Sequence, residues 1–444
     1  MIKKTIIPIL LMLILFILAG CSTSVPVIPA SSTPSPIPPT QTVPPSATPI
    51  PPTVTPTSTP LPPTPTATPV NAIQHFPSGQ EFTVTSINMM DANVGWATGG
   101  LENVGDHVLR TSDGGTTWAD LTPPEEAAPS DDRKTATGFF QDAQTGWVIF
   151  SLTSGITPLQ SVVWRTQDGG LSWQASQPLD LTNLTEFYYP DYLQFADSRN
   201  GWVMVHVGAG MNHDYYALFR SQDGGVSWSR IQDPYNDSSG TMSCSKTDLL
   251  FTDASHGWLT GDCHGVAPGV QLFKSSDGGL TWETVTLVDP AGSPGMFSTF
   301  DAACGAYDLF FFSNELGHLG VRCSFYDQDP ITYQYFIYTT LDGGSTWVSS
   351  TYPGETLYFF SANTGWAFST KVQLTTDGGL TWKAVSNISW TVKSSWTQSA
   401  EVDFISEQIG WGVARGTEQP VPLALVQTIK AGAKWAMLVP IVGP

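Results

Sequence analysis

From residue 87 onward, one pattern of apolar and polar positions recurs along the chain. Met89, Phe140, Phe195, Phe251, Phe311, Phe359 and Phe404 each stand seven residues before a Trp or, once, a His. Two positions earlier stand Ile87, Gly138, Leu193, Leu249, Leu309, Leu357 and Val402, and two positions later Asp91, Asp142, Asp197, Asp253, Ser313, Ser361 and Ser406. Apolar residues two apart predict a strand with one buried face. The Asp or Ser then marks a turn. A second strand starts at Gly-Trp, with Trp96, Trp147, Trp202, Trp258, Trp366 and Trp411, and Gly317-His318 takes the remaining place.

A second string runs in step with the first. TSDGGTTW (111–118), TQDGGLSW (166–173), SQDGGVSW (221–228), SSDGGLTW (275–282), TLDGGSTW (340–347) and TTDGGLTW (375–382) share Asp-Gly-Gly and a Trp three residues on. A seventh copy, Thr428 to Trp435, keeps the Thr, one Gly and the Trp but has Lys430 where the Asp belongs. Most copies lie about 55 residues apart, so the repeat governs the fold. Each unit reads as strands A and B joined by the Asp/Ser turn, a variable loop, then strands C and D joined by the Asp-Gly-Gly turn. The expected fold is all-β, a seven-bladed β-propeller of four-stranded antiparallel blades over residues 71–444. Of 16 Trp residues, only Trp164, Trp390 and Trp396 fall outside the two motifs.

The Asp-Gly-Gly string resembles the Asp-box of BNR-repeat propellers, Ser/Thr-x-Asp-x-Gly-x-Thr/Ser-Trp. That resemblance implies a structural turn between strands C and D, with Asp113, Asp168, Asp223, Asp277, Asp342 and Asp377 bonded to their own turns. The chemistry agrees, because a carboxylate accepts backbone N–H groups and glycines reach positive φ without a steric cost. A calcium loop needs six to eight oxygens, and each copy brings a single carboxylate. The expectation is therefore no metal and no cofactor.

Residues 1–21 place two lysines before a long apolar run ending Leu18-Ala19-Gly20-Cys21. This reads as a secretory signal. Its end resembles the lipobox of bacterial lipoproteins, which implies lipidation of Cys21. Residues 22–70 are almost entirely Pro, Thr, Ser, Val, Ile and Ala. Such a segment buries no core and favours extended polyproline II, so it reads as a stalk. The expected location is extracytoplasmic, lipid-anchored to a bacterial membrane. With 18 Lys and Arg against 38 Asp and Glu, the formal net charge is −20, which argues against nucleic-acid binding.

Cys244 and Cys263 occupy the same phases of the fourth repeat as Cys304 and Cys323 do of the fifth. Four cysteines allow three connectivities, and the matched spacing favours Cys244–Cys263 and Cys304–Cys323. An exported chain permits such bonds.

In this blade order the A–B and C–D turns share one face, and the B–C and D–A loops share the other. The second face varies in length and composition, so binding is expected there. Its aromatic and acidic residues, Tyr188, Tyr189, Asp191, Tyr215, Tyr216, Tyr326, Asp327, Trp390 and Trp396, are the candidate ligand contacts, for a protein partner or a glycan. From about residue 75 to 444 the chain resembles the photosystem II stability/assembly factor-like propellers. They carry Phe-x-Asp…Gly-Trp and Arg-Thr-x-Asp-Gly-Gly-x-Thr-Trp in each blade, and their photosynthetic members are assembly chaperones. The expected function is a non-catalytic binding or assembly scaffold for a protein. The alternative is a cell-surface glycan-binding protein or a sialidase-like glycoside hydrolase. Sialidases need an arginine cluster. Arg110, Arg165 and Arg220 sit in repeated phase before the boxes, which leaves Arg133, Arg322 and Arg415 near the loop face. No catalytic residue is assigned. Residues 72–84 are expected to supply a strand that seals the ring.

Overall fold

The computed structural model describes residues 71–444 apart from 157–160, 185–186, 238–239, 370, 388–395 and 417–422, together with the side chains of 386–387 and 396–400. The expected signal, Cys21, the stalk, Trp390 and the Trp396 side chain lie outside the described residues. Within them there are strands and turns and no helix.

The first repeat forms β1–β4 (Thr83–Met89, Gly95–Gly100, His107–Thr111, Thr117–Asp120), the second β5–β8 (Lys134–Phe140, Gly146–Leu152, Val163–Thr166, Gln174–Ala175) and the third β9–β12 (Tyr189–Phe195, Gly201–Gly210, His213–Ser221, Ser229–Gln232). The fourth forms β13–β16 (Ser245–Phe251, Gly257–Asp262, Gln271–Ser275, Glu283–Thr284) and the fifth β17–β20 (Ala303–Phe311, Gly317–Phe325, Thr332–Thr340, Val348–Thr351). The last two form β21–β24 (Thr356–Phe359, Gly365–Phe368, Lys371–Thr375, Lys383–Asn387) and β25–β28 (Trp396–Phe404, Gly410–Gly416, Leu423–Thr428, Trp435–Met437). Within each repeat the four strands pair antiparallel in chain order, and a bridge between Asp262 and Gly305 fuses the fourth and fifth sheets.

The recurring Phe, Gly and Trp are one packing device. Each strand-A Phe lies directly across from the Gly that opens strand B, as Phe140 does from Gly146 and Phe195 from Gly201. A Cβ on Gly201 would sit 2.4 Å from the Phe195 ring, so only glycine fits beneath it. The other face of that ring receives the indole of the preceding repeat. Ring centroids are 3.7 Å apart for Trp147 and Phe195, and 3.8 Å for both Trp202–Phe251 and Trp366–Phe404. The indole N–H then donates across the seam, from Trp147 to the Gly224 carbonyl at 2.9 Å and from Trp202 to Gly278 at 2.9 Å. Aromatic stacking plus a satisfied indole N–H thus joins one sheet to the next.

The same device joins the last repeat to the first. Trp411 packs with Met89 and donates to the Gly114 carbonyl at 3.0 Å. The strand-A segments meet one another, β9 with β5 and β13, β17 with β13 and β21, and β1 with β25. Sheets packed face to face in this way form a β-propeller. The sealing strand differs from expectation. The C-terminal segment forms β29 (Ile441–Val442), which pairs parallel with Thr117–Trp118 of β4 and makes the first sheet five-stranded. Residues 79–82 bond to this tail, with Gly79 N–H to the Val442 carbonyl at 2.8 Å, instead of forming the outer strand themselves.

Candidate functional site

The two faces of the molecule differ in chemistry. On the turn face each box closes on itself. In the first box, Asp113 accepts from the Thr117 backbone at 2.8 Å, the Thr117 hydroxyl at 2.6 Å and the Thr111 hydroxyl at 2.9 Å. Gly114 and Gly115 hold φ of +75° and +93°. Partial burial alone would raise the Asp113 pKa, but these bonds outweigh it and hold the carboxyl below its ordinary value. The other five Asp residues are also lowered. The degenerate seventh turn keeps its shape without an Asp. Thr428 accepts from the Lys430 and Gly432 backbone, and Ala431 and Gly432 take the positive-φ places.

The loop face carries most of the exposed large apolar side chains that lie outside the boxes. Phe187, Tyr189 and Met211 come from the third repeat, Tyr235 and Val266 from the linker to the fourth and from its B–C loop, and Phe300, Tyr326 and Tyr333 from the approach to the fifth, its B–C loop and the start of β19. Met211 is 97% exposed and holds φ +46° at the tip of the β10–β11 hairpin, with Asn212 at +66°. Such a turn favours Asn and Gly, so neither burial nor backbone geometry calls for a Met there.

The expected contact residues separate by strand alternation. Tyr189, Asp191, Tyr326 and Asp327 are exposed, and Tyr215 is half-buried beside a cavity of about 300 Å³ that it shares with Tyr235. Tyr188 and Tyr216 are not on the surface. Tyr188 is fully buried among Leu184 and Leu193, and in the core Tyr216 donates to the Gln232 side-chain oxygen at 3.0 Å and accepts from the Thr241 hydroxyl at 2.7 Å. Neighbours in a strand point to opposite faces, so one of each Tyr-Tyr pair must turn inward. Trp164, the remaining unphased Trp, is also core and donates to Glu125 at 2.6 Å.

Two charged clusters underlie this surface. In the third repeat, His206 Nδ1 lies 2.6 Å from Asp214 and its Nε2 3.6 Å from Asp191, the second too long for a direct hydrogen bond. Burial opposes the charged imidazole, yet the two carboxylates prevail and raise its pKa to about 9. Asp214 also accepts the Lys246 backbone N–H at 2.9 Å. At the junction of the fourth and fifth, Tyr307 donates to Asp262 and accepts from Arg322 Nη2 at 2.8 Å. The Arg322 guanidinium stands 4.6 Å over the Tyr307 ring, and His264 lies 3.2 Å from Asp262. Burial and then Asp262 push the Tyr307 hydroxyl pKa upward, so the phenol stays protonated.

Between them, strand-A carboxylates bind the next repeat's backbone. Asp248 accepts from the Leu309 N–H at 3.1 Å, Asp308 from Leu357 at 3.3 Å, and Glu401 from Ile87 at 3.1 Å. Each keeps a little solvent contact but is enclosed by protein. That desolvation raises the pKa of Asp248 to about 6 and those of Asp308 and Glu401 to about 7. Sequence reading missed His206, Asp262, Tyr307 and Met211. Asp262 carried a signal, because it directly precedes Cys263.

Both expected disulfides are present in these repeats, Cys244–Cys263 and Cys304–Cys323. Disulfides fit an oxidising, extracytoplasmic setting. Among the described residues no helix is long and apolar enough to cross a membrane, and no group of three His, Cys, Asp or Glu side chains is placed to hold a metal.

No family model matches the chain. A stretch of 153 residues is 26% identical to the sialidase of Vibrio cholerae serotype O1, covering 29% of this chain and 20% of that enzyme. The match therefore spans about a fifth of the sialidase. Among solved structures, YCF48 bound to D1 peptide is 16% identical, with 81% of this chain and 99% of that chain covered and a TM-score of 0.48. The polysaccharide lyase Uly1 is 11% identical, with 79% and 90% covered and a TM-score of 0.50, a likeness of fold alone.

Proposed function

We propose that the chain is a seven-bladed propeller that binds a protein partner through the loops of its third, fourth and fifth repeats and catalyses no reaction. A lipid on Cys21 and the Pro/Thr-rich segment 22–70 would hold it off the outer side of a bacterial membrane, with a contour of roughly 150 Å. The observation that carries this reading is co-location. Exposed Tyr189, Met211, Tyr235, Phe300 and Tyr326 stand over the same repeats that hold both disulfides and both charged clusters. Exposed apolar residues gathered in one region mark interaction surfaces, and aromatic anchors within a polar surround are how interfaces concentrate their energy. Loops stapled at their base lose less freedom on binding.

The acids on this face, among them Asp191 and Asp327, together with the net charge of −20, suit a partner segment that is basic as well as apolar. The second reading, a glycan-binding protein or glycoside hydrolase, draws on the partial match to a sialidase. Against a tyrosine nucleophile stands the protonated Tyr307, and Arg322 and Arg133 are already engaged, Arg322 with Tyr307 and Arg133 with Glu102 at 2.7 Å.

The test combines Tyr189→Ser, Met211→Ser and Tyr326→Ser in one full-length variant. All three side chains are exposed, so its melting temperature should stay within about 2 °C of the parent. Capture of a protein partner from native membranes should fall at least about tenfold. Unchanged capture would contradict the assigned surface. Loss of retention on a polysaccharide gel, with no protein captured by the parent, would favour the glycan reading.

A further inference from the structure

The repeats divide at one ladder position, where the last three carry Thr339, Leu374 and Gln427 in place of a cation, and in the fifth the indole is lost as well. In the first four repeats the residue paired across strands B and C with the Gly-Trp indole is a cation, Arg110, Arg165, Arg220 or Lys274. The cation lies over that indole at 5.4–5.6 Å in three of them. In the second, third and fourth repeats it reaches backbone carbonyls of the next repeat. Arg165 donates to Gly224 at 3.2 Å, Arg220 to Asp277 at 3.2 Å and Ala254 at 2.7 Å, and Lys274 to Gly343 at 2.6 Å. In the fifth repeat the indole is replaced by His318 and the cation by Thr339, paired with each other in the ladder.

His318 does part of the indole's work. It packs on Phe359 with centroids 4.4 Å apart and donates from Nε2 to the Ala362 carbonyl at 2.8 Å. Its Nδ1 then accepts the Thr339 hydroxyl at 2.9 Å. Burial lowers its pKa, so it brings no charge. Among the described residues that line this place, none carries a positive charge. A cavity of about 390 Å³ opens in its stead on the turn face, walled by His318, Thr339, Asp377 and Gly378. The carbonyls of Ala362, Asp377 and Gly378 correspond by repeat position to those that Lys274, Arg165 and Arg220 engage in other seams.

Two more departures frame the opening. Leu341 stands where the other boxes have Ser112, Gln167, Gln222, Ser276 or Thr376, and Val348 where they have Ala119, Gln174, Ser229, Glu283 or Lys383. Both are more than 70% exposed. A flexible aliphatic stem ending in a cation is the side chain that uses apolar walls and an acceptor-lined floor together.

We propose that this cavity binds an arginine side chain presented by a partner polypeptide, which supplies in trans the cation that the first four repeats carry themselves. The site lies on the face opposite the loop surface and stands independently of it. It would give a partner a second attachment point, and two weak contacts on one chain multiply in strength.

The experiment titrates acetyl-Gly-Arg-Gly-amide into full-length protein labelled at Leu and Val methyls. The Leu341 and Val348 signals should shift with a Kd on the order of 1 mM, as suits one side chain. The citrulline peptide, neutral and of the same shape, should bind at least about tenfold more weakly, because it lacks the charge that the carbonyls and Asp377 select. Thr339→Arg should fill the cavity from within, raise the melting temperature and abolish the shifts. Absent shifts at Leu341 and Val348, or equal binding of the citrulline peptide, would overturn the proposal without any variant. So would arginine-peptide binding that survives in folded Thr339→Arg.

Discussion

A carboxylate's neighbours decide whether it supports the fold at neutral pH. Asp113 and its five counterparts sit at the surface under converging N–H and O–H donors, and their pKa values are lowered. Asp248, Asp308, Glu401 and Asp403 are enclosed and receive few donors, so burial raises theirs to about 6, 7, 7 and 6. The stability consequences have opposite signs. The enclosed acids hold protons more tightly folded than unfolded, so they favour the fold at low pH and disfavour it as pH rises from about 4 through 7. His206, raised to about 9, also loses its contribution as pH rises from about 6.5 through 9. The lowered box acids lose theirs only as pH falls below about 4. The melting temperature should therefore peak near pH 5 and decline by several degrees toward pH 8. Glu401→Gln should flatten that decline, as calorimetry across the range would show. A stability maximum at pH 8 would refute the assignment. Of this, the box acids were legible from their repetition. The enclosed acids were not, because strand A gives no sign of which polar side chain meets the next repeat's backbone. The same limit explains Tyr188 and Tyr216, whose loop-like surroundings hid a strand alternation that turns them inward.

At the scale of elements, the sequence carried most of the fold because each motif residue has a mechanical task. The strand-A Phe needs a Gly across from it and a flat ring above it, so Gly-His in the fifth repeat, where His318 packs on Phe359, marks a real local change. The disulfides were legible for a related reason, since equal phases in two repeats place equal pairs across equal hairpins. Each closes a separation of 19 residues. Replacing Cys304 and Cys323 together by Ala should therefore cost about 3 kcal/mol by the loop-entropy relation. Urea denaturation measures this, and a loss below about 0.5 kcal/mol would mean that the β17–β18 ladder alone holds the loops. The tail strand was not legible. Residues 440–443 carry neither motif, and a two-residue parallel pairing leaves no period to read.

For the whole molecule, the repeated turn face is spent on holding sheets together, while the loop face varies. The third to fifth repeats carry both disulfides, the two charged clusters and the exposed Tyr189, Met211, Phe300 and Tyr326. On the function proposed above, this acidic surface would recognise a basic, apolar protein segment, and electrostatic steering would speed the encounter. Site-specific photocross-linking in native membranes tests this most directly. A photoreactive residue is placed in the full-length chain at Tyr326 and, as a control, at Leu171 in the exposed second box. One stoichiometric protein adduct is expected from position 326 and none of that protein from position 171. The same adduct from both positions, or no protein adduct from 326, would contradict it.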